Sequence, residues 1–549
     1  MLGLTDIIDE MTHMIDCQAW EQAIRTGRFA DVRKALKLLN FSKLPRKLSQ
    51  PVANLARRCG LYSISLRILS PIVTLERNYR QATPRPDELA EYGMALVNIG
   101  AVSEGRGILE SISSKDVPHL PLLLAQAYIP EWKYGDAIRV LEPLQHHDHL
   151  DSYLKLVAQV NLSAAYVYNQ RLSQADELIA ECLQSASQQG FILLQGNLLE
   201  IKSQMLLEQR RFSEARKVIA TAKEFLSHTG TTDELYVHKW SRLLDLYERP
   251  KSKEATRALR EVYQQALVLR HWETLRDLDR HLAITQRDTQ LFHHLYYGSP
   301  YEEYRNRLRG QLSDLPEPPA HYIWRLRGEK ATRGAATRGA ATLDMRTLQL
   351  DGTELNMKHG FLLHRLLTIL STDFYRPLRT GSLFSRLFPG EFYNHIMAPN
   401  RVHQIVKRLN ALFSENSISL VVEEQHGAYR LSTPAALDMI LSRDSAKDGG
   451  SDLNFKLESQ LSRLERLTEG RIFTAKQAAA LLEVSLSTAT RLLRVAARDP
   501  TRGGFVAALT NQLEIVGHGP KTSFRFLHGP SRFLHGPNTA TAGKKKQAA

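Results

Sequence analysis

The sequence predicts a mainly α-helical protein in which a long N-terminal run of helical hairpins precedes two smaller modules of mixed helix and strand. In residues 1–310, apolar residues recur at i, i+3, i+4 and i+7, which is typical of amphipathic helices. Beyond residue 320, short strand-like alternations appear between helices. The charge changes there too: residues 1–320 carry 40 Lys and Arg against 39 Asp and Glu, and residues 321–549 hold +13 of the chain's net charge of +14.

Length and composition exclude several classes of protein. With 549 residues, of which 43% are hydrophobic and 24% charged, the chain predicts about two to four domains. No apolar run approaches the roughly 18 residues that a membrane-spanning helix needs, and the acidic N-terminal segment is unlike a secretory signal. Cys17, Cys59 and Cys182 form no CxxC pair, so we expect reduced structural thiols and no metal or other cofactor.

A repeat becomes visible when the turns of residues 1–310 are aligned on an apolar anchor, which is in turn Phe29, Tyr62, Val102, Tyr134, Leu172 and Phe212. The residue three positions later is mostly small: Val32, Ser65, Gly105, Ala137, Ala175 and Ala215. The residue seven positions later is large and aliphatic: Leu36, Leu69, Leu109, Leu141, Ile179 and Ile219. A small residue lets two helices approach and a large one fills the groove between them, so the spacing predicts stacked helix pairs.

Three segments resemble the turn and second helix of tetratricopeptide repeats: Gly27-Arg28-Phe29, Gly60-Leu61-Tyr62 and Arg211-Phe212-Ser213-Glu214-Ala215. That family has a period of about 34 residues. Its Trp-x-x-Leu-Gly opening and its closing Pro are mostly missing here, so the repeats are degenerate. The resemblance implies an α-solenoid over residues 1–310 whose surface binds a protein or peptide partner. A simple antiparallel bundle with the same spacing is the alternative.

A Pro-rich linker, residues 311–320, leads to a first basic module at 321–434. Strands are predicted at 322–326, 342–345, 347–350 and 353–357, with Asp351-Gly352 as a type I′ turn between the last two. Helices are predicted at 358–371, 380–388 and 399–413. A hairpin then follows, with strands at 418–422 and 428–432 and Gly427 near its tip.

The order of sheet, three helices and hairpin resembles winged-helix DNA-binding domains of the OmpR/PhoB type. The matching segments include Leu355-Asn356-Met357, Arg376-Pro377-Leu378-Arg379-Thr380, Asn400-Arg401-Val402, Lys407-Arg408-Leu409 and Tyr429-Arg430-Leu431. The resemblance implies binding to double-stranded DNA and, by analogy for residues 389–398, contact with RNA polymerase. The family usually has Gly directly before the Tyr of its closing strand, whereas this chain has Ala428, so we expect a wing tip of different shape.

The third helix of the first module has a polar face suited to DNA. Its apolar stripe, Val402, Ile405, Val406, Leu409 and Phe413, must face the core. The opposite face carries the acid-free set Asn400, Arg401, Gln404, Lys407 and Arg408. Arg and Lys suit guanine edges or phosphates, and Asn and Gln suit adenine. We expect these residues to bind DNA, with His426 and Arg430 of the wing near the backbone; the alternative is an ordinary solvated basic face.

A second module, residues 455–527, follows a hydrophilic linker at 442–452. An amphipathic helix precedes a helix-turn-helix pattern over 473–494, with Ser485 as an N-cap and Glu483 at the turn where Gly is frequent. Ala489, Leu492 and Leu493 would pack inward, leaving for DNA the residues Ser487, Thr488, Thr490, Arg491 and Arg494. A second wing near 517–526 would bring Lys521 and Arg525 to phosphate. The alternative is a packing or dimerisation module.

These patterns predict a sequence-specific transcription regulator in the cytoplasm, associated with the bacterial nucleoid, whose helical repeat senses or recruits a protein. No motif of an enzyme is evident: GxSxG, HExxH and GxxxxGK[ST] are missing, so we expect no catalytic activity. The tail at 538–549 is expected to be disordered. The alternative function is a repeat-based adaptor whose basic half docks a protein or RNA.

Overall fold

The computed structural model describes residues 16–25, 28–41, 44–74, 83–146, 150–227, 234–328, 340–442, 455–497, 513–516 and 522–526. The chain is mainly helical with small sheets, as the sequence predicts. Three parts follow one another along it. We call residues 16–311 the repeat half, residues 321–442 the first module and residues 455–526 the second module.

The helices of the repeat half contact chiefly the next helix and the next but one, which is the packing expected of consecutive hairpins. The described helices are α1 Cys17–Arg25, α2 Phe29–Leu38, α3 Arg46–Arg58, α4 Tyr62–Val73, α5 Pro86–Ile99, α6 Val102–Glu110, α7 Leu120–Tyr128, α8 Tyr134–Leu141, α9 Ser152–Tyr168, α10 Leu172–Gln188, α11 Ile192–Glu208, α12 Phe212–Leu226, α13 Glu234–Glu248, α14 Lys253–Val268, α15 Trp272–Gln286, α16 Thr289–Tyr297 and α17 Glu302–Gln311.

The turns inside these hairpins share one geometry, and it explains the anchors. Each of the six anchors is the first residue of the second helix of its pair. Two residues before five of them, at Gly60, Gly100, Trp132, Gln170 and Arg210, the backbone φ is positive. The next amide donates to a carbonyl five residues earlier, as Leu61 does to Ala56 and Arg211 does to Leu206. This is a Schellman ending, in which a left-handed residue closes one helix and the anchor opens the next.

The positions after the anchors are buried as predicted. Ala137, Ala175 and Ala215 are fully covered, and the large aliphatic residues that follow, such as Leu36 and Leu69, are also fully covered. One close approach is between α5 and α6, where a Cβ on Gly105 would lie 2.4 Å from the carbonyl oxygen of Gly93. The small position therefore allows one helix backbone to touch another.

The last helix of the repeat half, α17, packs across the turns of several earlier hairpins. The Tyr304 ring lies 4.6 Å from that of Trp132 in a T-shaped contact. Arg307 donates to the carbonyl of Tyr168 at 2.7 Å and forms an ion pair with Glu208 at 2.5 Å. Residues from three successive hairpins thus contact one helix of the same chain.

The first module contains two small sheets and three helices. Its elements are β1 His321–Leu326, β2 Ala341–Asp344, β3 Gln349–Leu350, β4 Thr353–Glu354, α18 Leu362–Leu370, β5 Leu378–Arg379, α19 Thr380–Leu387, α20 Ala398–Glu415, β6 Val421–Gln425, β7 Ala428–Ser432 and β8 Leu437–Ser442. One sheet has the order β1-β8-β2-β3-β4 and the other β5-β7-β6. Strand β8 is antiparallel to β1 and parallel to β2, so the first sheet extends beyond the boundary expected at residue 434.

Two local features of this module agree with the sequence, whereas a strand and a helix are shifted. Strand β6 begins at Val421 and ends at Gln425, three residues later than the predicted 418–422. Asp351 and Gly352 both have positive φ, as a type I′ turn requires. Strand β7 has the predicted bounds. Helix α18 begins at Leu362, later than predicted, because Gly360 has a φ of 77° and Phe361 is extended. A left-handed glycine cannot continue a right-handed helix.

The first module packs against the repeat half at two places. At one, α19 lies on the α5–α6 turn, where a Cβ on Gly381 would approach the carbonyl oxygen of Ile99 to 2.6 Å. At the other, Phe374 of the first module lies against the repeat half: its amide donates to the carbonyl of Gly298 at 3.2 Å, and a Cβ on Gly298 would lie 2.4 Å from its ring. Within the first module, the same ring stacks on Trp324 with centroids 4.0 Å apart.

A buried ion pair joins the two parts at this second place. Both guanidinium-to-carboxylate hydrogen bonds from Arg276 of α15 to Asp373 are 2.7 Å long, and both side chains are 1% exposed. Burial alone would lower the pKa of Arg276, but the nearby charges of Asp373 and Glu273 outweigh it and hold that pKa above its ordinary value. Rings of three tyrosines surround the guanidinium: Tyr301, Tyr304 and Tyr375.

The second module has a core of its own, formed by residues such as Leu464, Phe473, Ala489, Leu493 and Phe524. Its elements are α21 Phe455–Thr468, β9 Phe473–Thr474, α22 Ala475–Leu482, α23 Leu486–Ala496, β10 Leu513–Val516 and β11 Ser523–Phe526. The strands form one antiparallel sheet in the order β10-β11-β9.

The shared turn geometry predicts the effect of a glycine at Arg270, which has a φ of 55° and precedes α15. A non-glycine residue in this conformation is destabilised by about 1 kcal/mol. We expect Arg270→Gly to raise the free energy of unfolding by about that amount and Gly60→Ala, at a φ of 78° with no atom near its Cβ position, to lower it similarly. Urea denaturation followed by circular dichroism measures both; a loss of stability in Arg270→Gly would contradict the assignment.

The buried ion pair predicts unequal effects for two carboxylates that both contact Arg276. Asp373→Ala leaves a buried guanidinium without its main partner and should lower the free energy of unfolding by about 3 kcal/mol. Glu273, whose side chain is 39% exposed, serves as the matched control, and Glu273→Ala should lower it by less than about 1 kcal/mol. Equal effects in urea denaturation would show that burial is not what makes the Asp373 contact strong.

Candidate DNA-binding surface

One side of α20 is polar, exposed and free of acidic residues from Ala398 to Ser414. The predicted stripe faces the core, since Val402 and Leu409 are fully covered. The exposed side carries Asn400, His403, Gln404, Lys407 and Arg408. Among the residues that the structure describes, Lys407 and Arg408 have no acidic partner. Four of the five residues predicted for this face therefore lie together on it.

His403 also belongs to this face, although the sequence pattern had not pointed to it. It lies three residues after Asn400 and four before Lys407, so the helical period places it between them. The same periodicity that predicted the other residues was therefore sufficient to find it.

Arg401 lies at the flank of α20 instead of its exposed face. At about 100° per residue, it is turned away from Asn400 and half-buried. It pairs with Glu391, and its guanidinium lies 3.8 Å from the centre of the Phe388 ring. The hydrogen bond to Glu391 raises the pKa of Arg401. In this arrangement Arg401 holds the loop before α20 against the helix.

Neighbouring elements hold α20 in place. Asn410 bonds the backbone of Val422 in both directions, at 2.8 Å and 3.1 Å, and so fixes the helix to β6. Before the helix, the Asn394 side chain accepts from the amides of Ile396 and Met397 at 2.9 Å and 3.1 Å. These bonds fix both the start and the rotation of α20.

The hairpin of β6 and β7 has a two-residue turn at His426 and Gly427, both with positive φ. Gly427 takes the second turn position, and Ala428 pairs with Gln425 in the strand, which accounts for the departure from the family pattern. His426 is exposed at the tip. Arg430, however, pairs with Glu423 at 3.2 Å, so only part of its charge faces outward.

The loop between α19 and α20 combines anchored and exposed residues. The amide of Tyr393 donates to Glu104 of α6 at 2.8 Å, and His395 bonds Ser70 of α4 at 3.2 Å. Phe392, Ile396 and Met397 are 83%, 62% and 63% exposed. Contact of this loop with RNA polymerase stays a prediction.

The second module presents a comparable helix, α23. Ser485 caps it by accepting from the amide of Thr488 at 3.2 Å, as predicted, and Ala489, Leu492 and Leu493 are buried. Ser487, Arg491 and Arg494 are exposed, whereas Thr488 and Thr490 are half-buried. Glu483 has a φ of 55° at the end of α22. Glycine adopts a positive φ without strain, which is why it is frequent at this turn position of helix-turn-helix motifs.

The second wing is described only in part. Lys521 lies outside the described residues. Arg525 on β11 pairs with Glu514 of β10 at 2.7 Å, so a cross-strand carboxylate already neutralises it.

Helix α21 joins the second module to the first. The Phe455 ring lies 5.3 Å from that of His364, and Lys456 Nζ lies 4.4 Å from the centre of the Phe361 ring. Arg466 donates to the carbonyl of Arg346. The covered side of this contact contains His359 and His364, which are 9% and 7% exposed.

Burial and nearby cations keep both histidines neutral. Burial, with charge from Arg463 and Arg466, lowers the pKa of His359 to about 4. Burial, with charge from His359 and Arg466, lowers the pKa of His364 to about 3. A lowered histidine pKa contributes stability that is present above about pH 6.5 and is lost as the pH falls towards the folded-state pKa.

This sign predicts how the stability depends on pH. Between pH 7 and pH 5, each buried histidine should reduce the free energy of unfolding by about 2 kcal/mol. His364→Gln retains an acceptor for the amide of Gly360, which bonds Nδ1 at 2.9 Å, and should lose less stability over this interval than the wild type. His403→Gln, at an exposed site, is the control. An unchanged pH dependence in His364→Gln, measured by urea denaturation, would contradict the assignment.

In the described part of the chain, no group of three or more His, Cys, Asp or Glu side chains is placed to hold a metal ion. Within the same ranges, no helix has both the length and the apolar character needed to cross a membrane.

Comparison with known proteins adds no relative. Neither a scan against protein-family models nor a search of the curated proteins finds a match to this chain. The chemistry of the surface must therefore be argued from the residues themselves.

Proposed function

We propose that this protein is a sequence-specific regulator that binds double-stranded DNA through the exposed face of α20. The observation that carries the proposal is an acid-free helix face that stays exposed although its module is packed against the repeat half at two places. Its side chains match the groove chemistry of DNA, with Asn400 and Gln404 for adenine and Lys407 and Arg408 for guanine or phosphate.

The arrangement around α20 supports a winged-helix assignment of the OmpR/PhoB type. In the first module, sheet strands, three helices and the β6–β7 hairpin follow one another in the order of that family, and β8 then returns to the first sheet. The β6–β7 hairpin lies beside α20 through Asn410. The second module repeats the pattern of helix, helix-turn-helix and hairpin. Both modules thus supply a helix of the kind that enters the major groove.

For the repeat half we propose an α-solenoid of degenerate tetratricopeptide-like repeats, supported by the shared Schellman turns and by the sequential packing of the hairpins. Helix α17 and the first module already cover part of its surface. A protein partner that is sensed or recruited therefore binds a surface that these contacts leave uncovered.

The proposed face predicts a change in salt-dependent DNA binding. In the full chain, Lys407→Ala combined with Arg408→Ala removes two cations from α20. We expect weaker binding to a pool of random-sequence duplexes, and a slope of log affinity against log salt that is less steep by about 0.9 for each phosphate that is no longer neutralised. Fluorescence anisotropy over a salt series measures both quantities.

The control variant removes the same charge elsewhere. Lys34→Ala combined with Lys217→Ala changes two exposed lysines of the repeat half and should leave affinity and slope unchanged. If both double variants behave like the wild type, α20 does not bind the DNA.

A further inference from the structure

The two modules meet where Gly360, Phe361 and His364 of the first module contact Phe455 and Lys456 of α21, and we call this contact the joint. A Cβ on Gly360 would lie 2.8 Å from Cα of Lys456, so the backbone of the first module touches the backbone of α21. Gly360 also has a φ of 77°. Only glycine meets both requirements, because it adopts a positive φ without strain and has no Cβ to collide with α21.

Side chains extend this joint towards the second DNA-binding helix. Arg463 of α21 lies 4.0 Å from Glu354 of β4 in the first module and 3.5 Å from Glu483 in the second. Glu483 ends α22, three residues before α23 begins. A continuous set of contacts therefore runs from the sheet of the first module to the turn that positions α23.

The joint leaves both candidate DNA faces uncovered. It uses residues near β2, β4 and the start of α18, whereas the face of α20 is formed by residues 400–408 and that of α23 by residues 487–494. On each face the exposed cations, Lys407 and Arg408 on one and Arg491 and Arg494 on the other, have no acidic partner among the described residues. A single chain thus carries two exposed polar faces on modules that contact each other.

We infer that a single copy of this chain binds one composite DNA site, made of two unlike half-sites whose spacing is set by the joint between the modules. The inference rests on the proposed function, because it assumes that α20 binds duplex DNA. Once one module is bound, the other meets its half-site intramolecularly, and linkage of this kind increases affinity by about 100-fold or more without a new contact. Because the faces differ in sequence, the half-sites differ as well.

In vitro selection with the full chain and a random-sequence duplex library tests this inference. We expect two different half-motifs at one spacing, with one chain per duplex by mass measurement. One half-motif alone, or two copies of the same half-motif with two chains, would overturn the composite site while leaving the proposed function intact. No enrichment of any sequence would contradict the proposed function itself.

Variants of the joint sharpen the test. Gly360→Val should separate α21 from the first module, so that both half-motifs are retained and their spacing varies. Affinity for the selected composite site should fall by less than the linkage gain of about 100-fold, because the modules stay covalently linked. Gly352→Ala is the matched control, because Gly352 also has a positive φ but no atom near its Cβ position, and its spacing should stay fixed. If Gly360→Val does not fold, Phe455→Ala combined with Arg466→Ala removes side-chain contacts of the same joint. A spacing that stays fixed in folded joint variants would overturn the inference.

Discussion

The buried ion pair of Arg276 and Asp373, in which one guanidinium nitrogen donates to both carboxylate oxygens, is the interaction on which the rest of this architecture depends. Transfer of two charges from water into a protein interior is unfavourable by several kcal/mol for each ion unless they meet with good geometry. Here the charges come from the repeat half and from the first module, and three tyrosine rings cover the guanidinium. Arg276 also bonds Glu273 of its own helix, but that carboxylate is 39% exposed, so the buried partner of Arg276 comes from the first module and the pair stabilises the contact between the two parts.

That constraint determines which side of the first module remains available. The loop around Asp373 and the helix α19 face the repeat half, and α20 packs on α18 and α19 from the other direction. The polar side of α20 is consequently exposed in the packed state. The exposed face of α20 is therefore accessible without detachment of the first module from the repeat half.

Features that depend on neighbours in sequence could be predicted from the sequence, whereas features that depend on distant partners could not. The apolar stripe of α20, the turn at Asp351-Gly352 and the Ser485 cap each follow from local periodicity or turn chemistry.

Strand β8 was missed because its pairing with β1 joins residues more than a hundred positions apart. The orientation of Arg401 was missed because it depends on Glu391 in the preceding loop. The contacts of α17 with Trp132 and Tyr168 likewise join distant segments.

In the folded chain, part of the positive charge of the C-terminal part is used for contacts within the chain. Many of its cations bond within the chain: Arg376 to Tyr301, Arg379 to the carbonyl of Asn98, Arg430 to Glu423 and Arg466 to the carbonyl of Arg346. These contacts hold parts of the chain together; the carboxylate of Glu423 neutralises Arg430, whereas an arginine that bonds a carbonyl or a tyrosine hydroxyl keeps its positive charge. Exposed cations lie on α20 and α23, at Lys407, Arg408, Arg491 and Arg494, and also elsewhere in the two modules, for example at Arg325, Lys358 and Lys476. The proposed recognition of DNA therefore depends on where these side chains lie as well as on the net charge of +13 over residues 321–549.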